Sequence, residues 1–504
     1  MTKERETAYE KLKDRLATIS DLNSANGLLF WDRQTYMPEG GVAGRAEQMA
    51  TLSQLAHEML VDIETGRLLD SSGEPDPSSE KGALIRRARH DYERATRLPA
   101  ELVAEITRTT TLAEPAWVKA REESDWSLFA PHLEKIVRLQ REAAEALGYD
   151  DHPYDALLDG YEPGAKKKQL EAMFEELEKG IVPLVRAVAG HEEDGEDRAA
   201  PLYGTFGEAE QEEFGKAVIG AFGYDWERGR QDCSVHPFCI NFGPGDVRIT
   251  TRFDKSWLAP ALFGTMHEAG HALYEQGINP DYARTPLGGG ASMGVHESQS
   301  RLWENLVGRS RLFWAHYYPK LQEVFPEALG GVDSEAFYRA INVLGPSKIR
   351  VEADEVTYNL HILLRFELEV ALLEDKLSIA DLPSAWNAKM EEYLGISPEN
   401  DAEGVLQDIH WSNGVFGYFP TYTIGNVLSV QFFDEAVKQR PEIPAEMREG
   451  EFSTLHTWLE ENIYRHGSRY YPDELVERVT SRPLDTTPFL RYLKNKFGEL
   501  YDLD

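Results

Sequence analysis

Apolar positions recur at three- and four-residue intervals through most of this chain. Leu12, Leu16, Ile19, Leu22 and Leu28 set the pattern over residues 7–29, and it returns over 43–60, 81–96, 100–124, 129–147 and 166–188. That period lines one face of a helix with apolar side chains. Three stretches interrupt it. Residues 31–38 form an aromatic-rich segment ending in Pro38, read as a packing corner. Residues 71–79 are a Ser-, Pro- and Gly-rich loop, and 190–197 an acidic connector whose charges suit solvent. Strict alternation occurs only over 235–242 and 247–253, joined by Gly243-Pro244-Gly245-Asp246, which predicts a β-hairpin. The expected architecture is mainly α with a small hairpin or sheet, without internal repeats, as one domain spanning 1–504.

Directly after the hairpin, the apolar run 257–263 leads into His267-Glu268-Ala269-Gly270-His271. On a helix, positions four apart share a face, so His267 and His271 can aim two imidazoles at one metal ion. Glu268 sits about 100° further round and can reach a water on that metal. The surrounding residues are apolar, and two His and a Glu in a buried helix need partners. Zinc suits them: it takes neutral imidazoles, and a neighbouring carboxylate deprotonates its bound water.

A catalytic zinc usually has three protein ligands. A second helix is expected to open near Ser292, with Leu302, Trp303, Leu306 and Val307 on its apolar face. Its first turns carry His296 and Glu297. Glu297 is favoured as the third ligand, because two His and a Glu form a known hydrolytic zinc set; His296 is the rival. The intervening 278–291 is rich in turn formers, which lets the second helix return against the first.

Further along, residues 344–366 read as one long helix carrying Arg350, Glu352, Asp354 and Glu355. Residues 404–411 lead into 414–426, an aromatic, Gly-rich run expected to be a loop lining a site, with helix again from Val427.

The formal net charge of −34 argues against nucleic acid and anionic membrane as partners. The two cysteines, Cys233 and Cys239, are too few for a disulfide-built secreted protein; although they flank His236, they read as reduced thiols. No apolar leader or membrane-spanning stretch is present, so a cytoplasmic protein is expected.

Several segments together resemble the carboxypeptidase Taq family of thermostable zinc metallocarboxypeptidases. They are His236-Pro-Phe238, Asp246-Val-Arg-Ile-Thr250, His267-Glu-Ala-Gly-His271, His296-Glu-Ser-Gln299, Ile349-Arg-Val-Glu-Ala-Asp354 and Gly404-Val-Leu-Gln-Asp-Ile-His-Trp411. The order and chain length also match. The resemblance implies a helical fold like that of neurolysin and angiotensin-converting enzyme, with a deep central groove. It implies release of single C-terminal residues from peptides with a free C-terminus, with Pro disfavoured, and a homodimer. One Zn²⁺ per chain is expected, with Co²⁺ as a substitute. In this reading Glu268 is the base, and His410 and Tyr422 are oxyanion donors, Tyr418 competing with the latter. Arg350 or Arg248 would bind the terminal carboxylate, each with an alternative as an ion pair to Asp354 or Asp246. His236 would contact substrate or cap the hairpin. Two rivals remain: an endo-acting zinc oligopeptidase, and a helical binding protein whose closed metal site would need a fourth protein ligand.

Overall fold

The computed structural model describes residues 3–189 and 197–503, so the acidic connector lies, apart from Asp197, outside the described residues. The chain folds into two compact units. One is drawn from Met1–Thr96, Arg198–Ile341 and Phe432–Pro483, the other from Arg97–Asp197, Asn342–Gln431 and Leu484–Asp504. Both are mainly helical, as the spacing predicts.

In the first unit the opening helix is Lys3–Thr35, longer than its apolar period suggests. It runs through Trp31, which is buried, and only Pro38 beyond it stops the helix, so the expected corner is a helix end. The three strands are β1 (Gly229–Cys233), β2 (Cys239–Asn241) and β3 (Val247–Thr251). β2 and β3 form the expected hairpin, closed by Phe242 N donating to Asp246 O at 3.0 Å. β1 adds parallel to the other edge of β3, giving the order β1-β3-β2. Its Gly-Arg-Gln-Asp-Cys sequence has no β-branched residue to announce it. The sheet lies against the helix Ala259–Gly277, with Thr265 and Thr251 hydroxyls 3.1 Å apart.

The second unit is built around the helix Tyr358–Leu373, in which nearly every residue is buried. A helix buried all round belongs inside a core, and its buried polar residues Asn359, His361, Arg365 and Glu369 all have hydrogen-bond partners there. Helix Trp126–Leu147 presents Phe129, Leu133, Ile136 and Val137 to that core. Its start is set by Asp125, whose carboxylate accepts from Ser127 N at 2.9 Å. Two expectations fail in this unit. Residues 344–357 do not continue the central helix: they are irregular around a short 3₁₀ turn, Arg350–Glu352. Asp354 instead holds a separate turn ahead of the helix: its carboxylate accepts from Val356 N, Thr357 N and the Thr357 hydroxyl, and the helix begins only at Tyr358. The run 414–426 is a loop only as far as Phe419; Pro420 opens the helix Pro420–Gln439, so Tyr422 stands in a first helical turn.

Candidate metal centre

The ligand helix Ala259–Gly277 carries His267 and His271 on one face, their rings 4.9 Å apart. The helix Met293–Arg301 starts where Ser292 accepts from Val295 N at 3.1 Å. Gly270, inside the His-Glu-Ala-Gly-His motif, decides how close the two helices come. A Cβ there would lie 2.5 Å from Gln299 O and 2.6 Å from Ser300 Cα, so only glycine allows this approach.

The approach brings Glu297 to the histidines. Its Oε2 is 3.7 Å from His267 Nε2 and 3.4 Å from His271 Nε2. The three ligand atoms lie within 4.8 Å of one another, and among the described residues this is the only such cluster. Each group is held from behind. His267 Nδ1 faces Glu304 Oε2 at 2.9 Å, and Glu304 is fixed in turn by Arg301 and Arg309. Glu297 Oε1 accepts from Arg301 Nε at 2.8 Å. Both imidazoles have Nδ1 engaged, which leaves the Nε2 atoms to converge on Glu297. Glu304 lies in a π-helical stretch, Leu302–Val307, that continues the Glu297 helix.

The electrostatics separate the carboxylates. Burial opposes ionisation of Glu297, but Arg301 and the two histidines outweigh it and hold the group well below the usual carboxylate range. Burial likewise opposes ionisation of Glu304, and His267 with both arginines brings it down to about 2. Glu268 is different. Burial dominates and pushes it up to about 7, and among the described residues nothing hydrogen-bonds its carboxylate. Burial disfavours the charged form of His267, yet Glu297 and Glu304 raise its pKa, so a proton and a metal compete for its Nε2. Two imidazoles and one ionised carboxylate, converging and oriented, fit a divalent ion such as zinc.

Of the remaining first-unit residues, His296 turns its two nitrogens to His271 and Glu275. Arg248 makes the bidentate pair with Asp246 at 2.8 and 2.7 Å and lies over Trp31. His236 is exposed between β1 and β2, and its carbonyl accepts from the Ser234 hydroxyl. Cys233 and Cys239 are unpaired.

The second unit gathers Arg350, His410 and Tyr422. Arg350 is 6% exposed, and its partner is Asp408, not Asp354. Nε and Nη2 donate to one Asp408 oxygen at 2.9 and 2.8 Å, and Nη1 donates to the Tyr358 hydroxyl. Asp354 is occupied by Val356 N, Thr357 N and the Thr357 hydroxyl. Arg365, fully buried, donates from Nε to the other Asp408 oxygen at 2.6 Å. The Tyr422 hydroxyl lies 3.4 Å from His410 Nε2, and its ring 5.2 Å from the Arg350 guanidinium. Burial lowers His410 to about 4, so it is neutral at neutral pH. Asp408 and Arg365 were not anticipated. The only signal for Asp408 was its place inside the 404–411 motif, and Arg365 sits in a run that reads as plain core.

A convergent two-histidine, one-glutamate centre with an adjacent free carboxylate, in a mainly helical protein, defines a helical metallopeptidase. The chain belongs to the carboxypeptidase Taq (M32) metallopeptidase family, whose profile matches residues 11–497. It is 43% identical to thermostable carboxypeptidase 1 of Thermus thermophilus over 98% of this chain and 99% of that protein. It is 40% identical to carboxypeptidase 1 of Bacillus subtilis, again over 98% and 99% of the two. The crystal structure of the M32 carboxypeptidase from Deinococcus radiodurans R1 is 44% identical and superposes with a TM-score of 0.95, covering 98% of this chain and 100% of that one.

Proposed function

We propose that the protein is a zinc metallocarboxypeptidase that releases single C-terminal residues from peptides with broad specificity, Pro being disfavoured. The observation that carries this is the three-ligand cluster with an unpartnered, buried Glu268 beside it. His267, His271 and Glu297 would hold the ion, which when bound supplies Lewis acidity toward water and the scissile carbonyl. Glu268 takes the proton from the attacking water and passes it to the leaving amine, a task that suits a carboxylate near pKa 7. His410, neutral, and Tyr422 offer N–H and O–H donors for the developing oxyanion.

Recognition of a free C-terminus is supported by charge. Arg350 and Arg365 share a single buried carboxylate, Asp408, which leaves one surplus positive charge in a buried cluster. Such a surplus suits an anionic guest. Three of the five N–H groups of Arg350 are engaged within the cluster, and the other two can meet a carboxylate. Arg248, bound bidentately to Asp246, is the weaker candidate, and contact of His236 with substrate is proposed on the resemblance alone. Co²⁺ is expected to substitute for Zn²⁺. Assembly as a homodimer rests on resemblance. Residence in the cytoplasm agrees with two unpaired cysteines; no helix among the described residues is long and apolar enough to cross a membrane.

The test is a pair of peptides, one with a free C-terminus and one amidated. The free acid should be trimmed residue by residue and the amide resist. Arg350→Ala should cost roughly 2–5 kcal/mol of transition-state binding on the acid, roughly a 30-fold or greater fall in kcat/KM. The amide should be hit far less. Equal cleavage of acid and amide at internal bonds establishes the endo-acting alternative instead.

A further inference from the structure

The face of the ligand helix that carries His267 and His271 continues one turn to Glu275. Glu275 is 6% exposed, and a carboxylate so buried requires donors. It has two. One oxygen faces His296 Nε2 at 2.7 Å, and the other accepts from the Asn241 amide on β2. The other nitrogen of His296, Nδ1, lies 2.6 Å from His271 Nδ1. A Cβ at Gly290 would sit 2.8 Å from His296 Cδ2, so the glycine-rich loop before the second helix closes directly on that ring.

Hydrogen-bond polarity orders this chain. The Glu275 carboxylate only accepts, so His296 carries its proton on Nε2. Its Nδ1 then offers a lone pair, and His271 donates Nδ1–H to it. His271 is left with its lone pair on Nε2, the atom that faces Glu297. His267 gets the same service directly from Glu304. We propose that His296 and Glu275 are positioning residues of the metal centre: through the chain Glu275–His296–His271 they fix His271 in the Nδ1–H tautomer and aim its Nε2 at the metal position. The proposal rests on the metal-centre reading above. It turns His296, on spacing a rival ligand, into the residue that orients one.

Two variants and two readouts test it. His296→Leu fills the ring's volume without a nitrogen. His296→Asn keeps an acceptor, Oδ1, where Nδ1 stands. Zn²⁺ affinity is measured on metal-free protein by competition with a chromophoric chelator, and histidine tautomers by two-bond ¹H–¹⁵N spectra of the same protein labelled at histidine. His296→Leu should weaken Zn²⁺ binding by roughly 10- to 100-fold, and His296→Asn should recover most of that loss. His271 should be wholly Nδ1–H in the unsubstituted protein and a mixture of tautomers in His296→Leu. A merely structural His296 would not give tautomer mixing with rescue by Asn. Affinity within about threefold of normal in His296→Leu, or His271 protonated at Nε2 in the unsubstituted protein, overturns the proposal. If His296→Leu does not fold, Glu275→Gln is read instead: several-fold weaker Zn²⁺ binding supports the chain, and unchanged binding overturns it. If the unsubstituted protein binds no Zn²⁺, the metal-centre reading itself has failed, which these outcomes keep separate.

Discussion

Glu268 and Glu297 are the same residue type in one site, and their surroundings drive them apart. Glu297 has Arg301 on one oxygen and two imidazoles near the other, so it stays ionised despite burial. Glu268 has burial without a hydrogen-bonding partner and stands near 7. Carboxylates separated in this way divide into a fixed charge and a proton carrier. Glu268→Gln should therefore retain about one zinc per chain, measured by elemental analysis, and lose turnover by orders of magnitude. In the unsubstituted enzyme kcat/KM should fall on the acid side as Glu268 becomes protonated, because the protonated acid cannot take a proton from water. Near-normal turnover by metal-replete Glu268→Gln would remove Glu268 from the mechanism.

Elements in the second unit are tied by another buried carboxylate, Glu369, on the central helix. It accepts from the Tyr154 hydroxyl at 2.9 Å, Trp411 Nε1 at 3.0 Å and Gly417 N at 3.0 Å, joining a short helix, the turn after His410 and the following loop. Burial is nevertheless the larger influence and raises it from 4.5 to about 7. A group raised on folding contributes stability that is fully present below its unfolded value and lost as pH rises through the folded one. Between about pH 4.5 and 7 the Glu369 contribution should thus decline. Comparing Tm across that window, Glu369→Gln should lack this decline while the unsubstituted protein shows it. Parallel Tm profiles would place the group's pKa elsewhere.

The same elements separate what local pattern can tell from what it cannot. Helices with a one-sided apolar stripe were legible to within a few residues: the period over 129–147 became Trp126–Leu147, and 166–188 became Lys167–Ala189. So were the shared helix face of His267 and His271, whose four-residue spacing is itself helix geometry, and the Ser292 start of the next helix. Spacing alone does not say which of His296 and Glu297 meets the two histidines, because neighbours on a helix differ by about 100° and the sequence does not give the helix's roll. The buried Arg350–Asp408–Arg365 cluster was illegible for a different reason. Its members are 58 and 43 positions apart, and pairing over that distance leaves no periodic trace. The central helix begins later than its sequence suggests, because an apolar, charge-bearing run looks continuous although a turn held by the Asp354 carboxylate interrupts it.

At the scale of the molecule, each compact unit is assembled from three separate stretches of chain that alternate in sequence. Neither unit is a contiguous segment, so neither can form without closing long loops whose entropic cost the other unit's stretches share. The helix Pro420–Gln439 moreover contributes residues to both. We therefore propose that 1–504 is a single cooperative catalytic domain. The candidate metal site offers the probe, since its three residues all belong to the first unit. A ligand that binds only the folded state stabilises whatever unfolds with its site, by about 4 kcal/mol at a thousandfold excess over Kd. If folding is cooperative throughout, adding Zn²⁺ to metal-free protein should slow hydrogen exchange in the second unit's core helix Tyr358–Leu373 as much as in the ligand helix Ala259–Gly277. Calorimetry should then give one transition whose enthalpy agrees with the van't Hoff value. Protection confined to the first unit, or two transitions of which zinc moves only one, would mean two domains that fold separately.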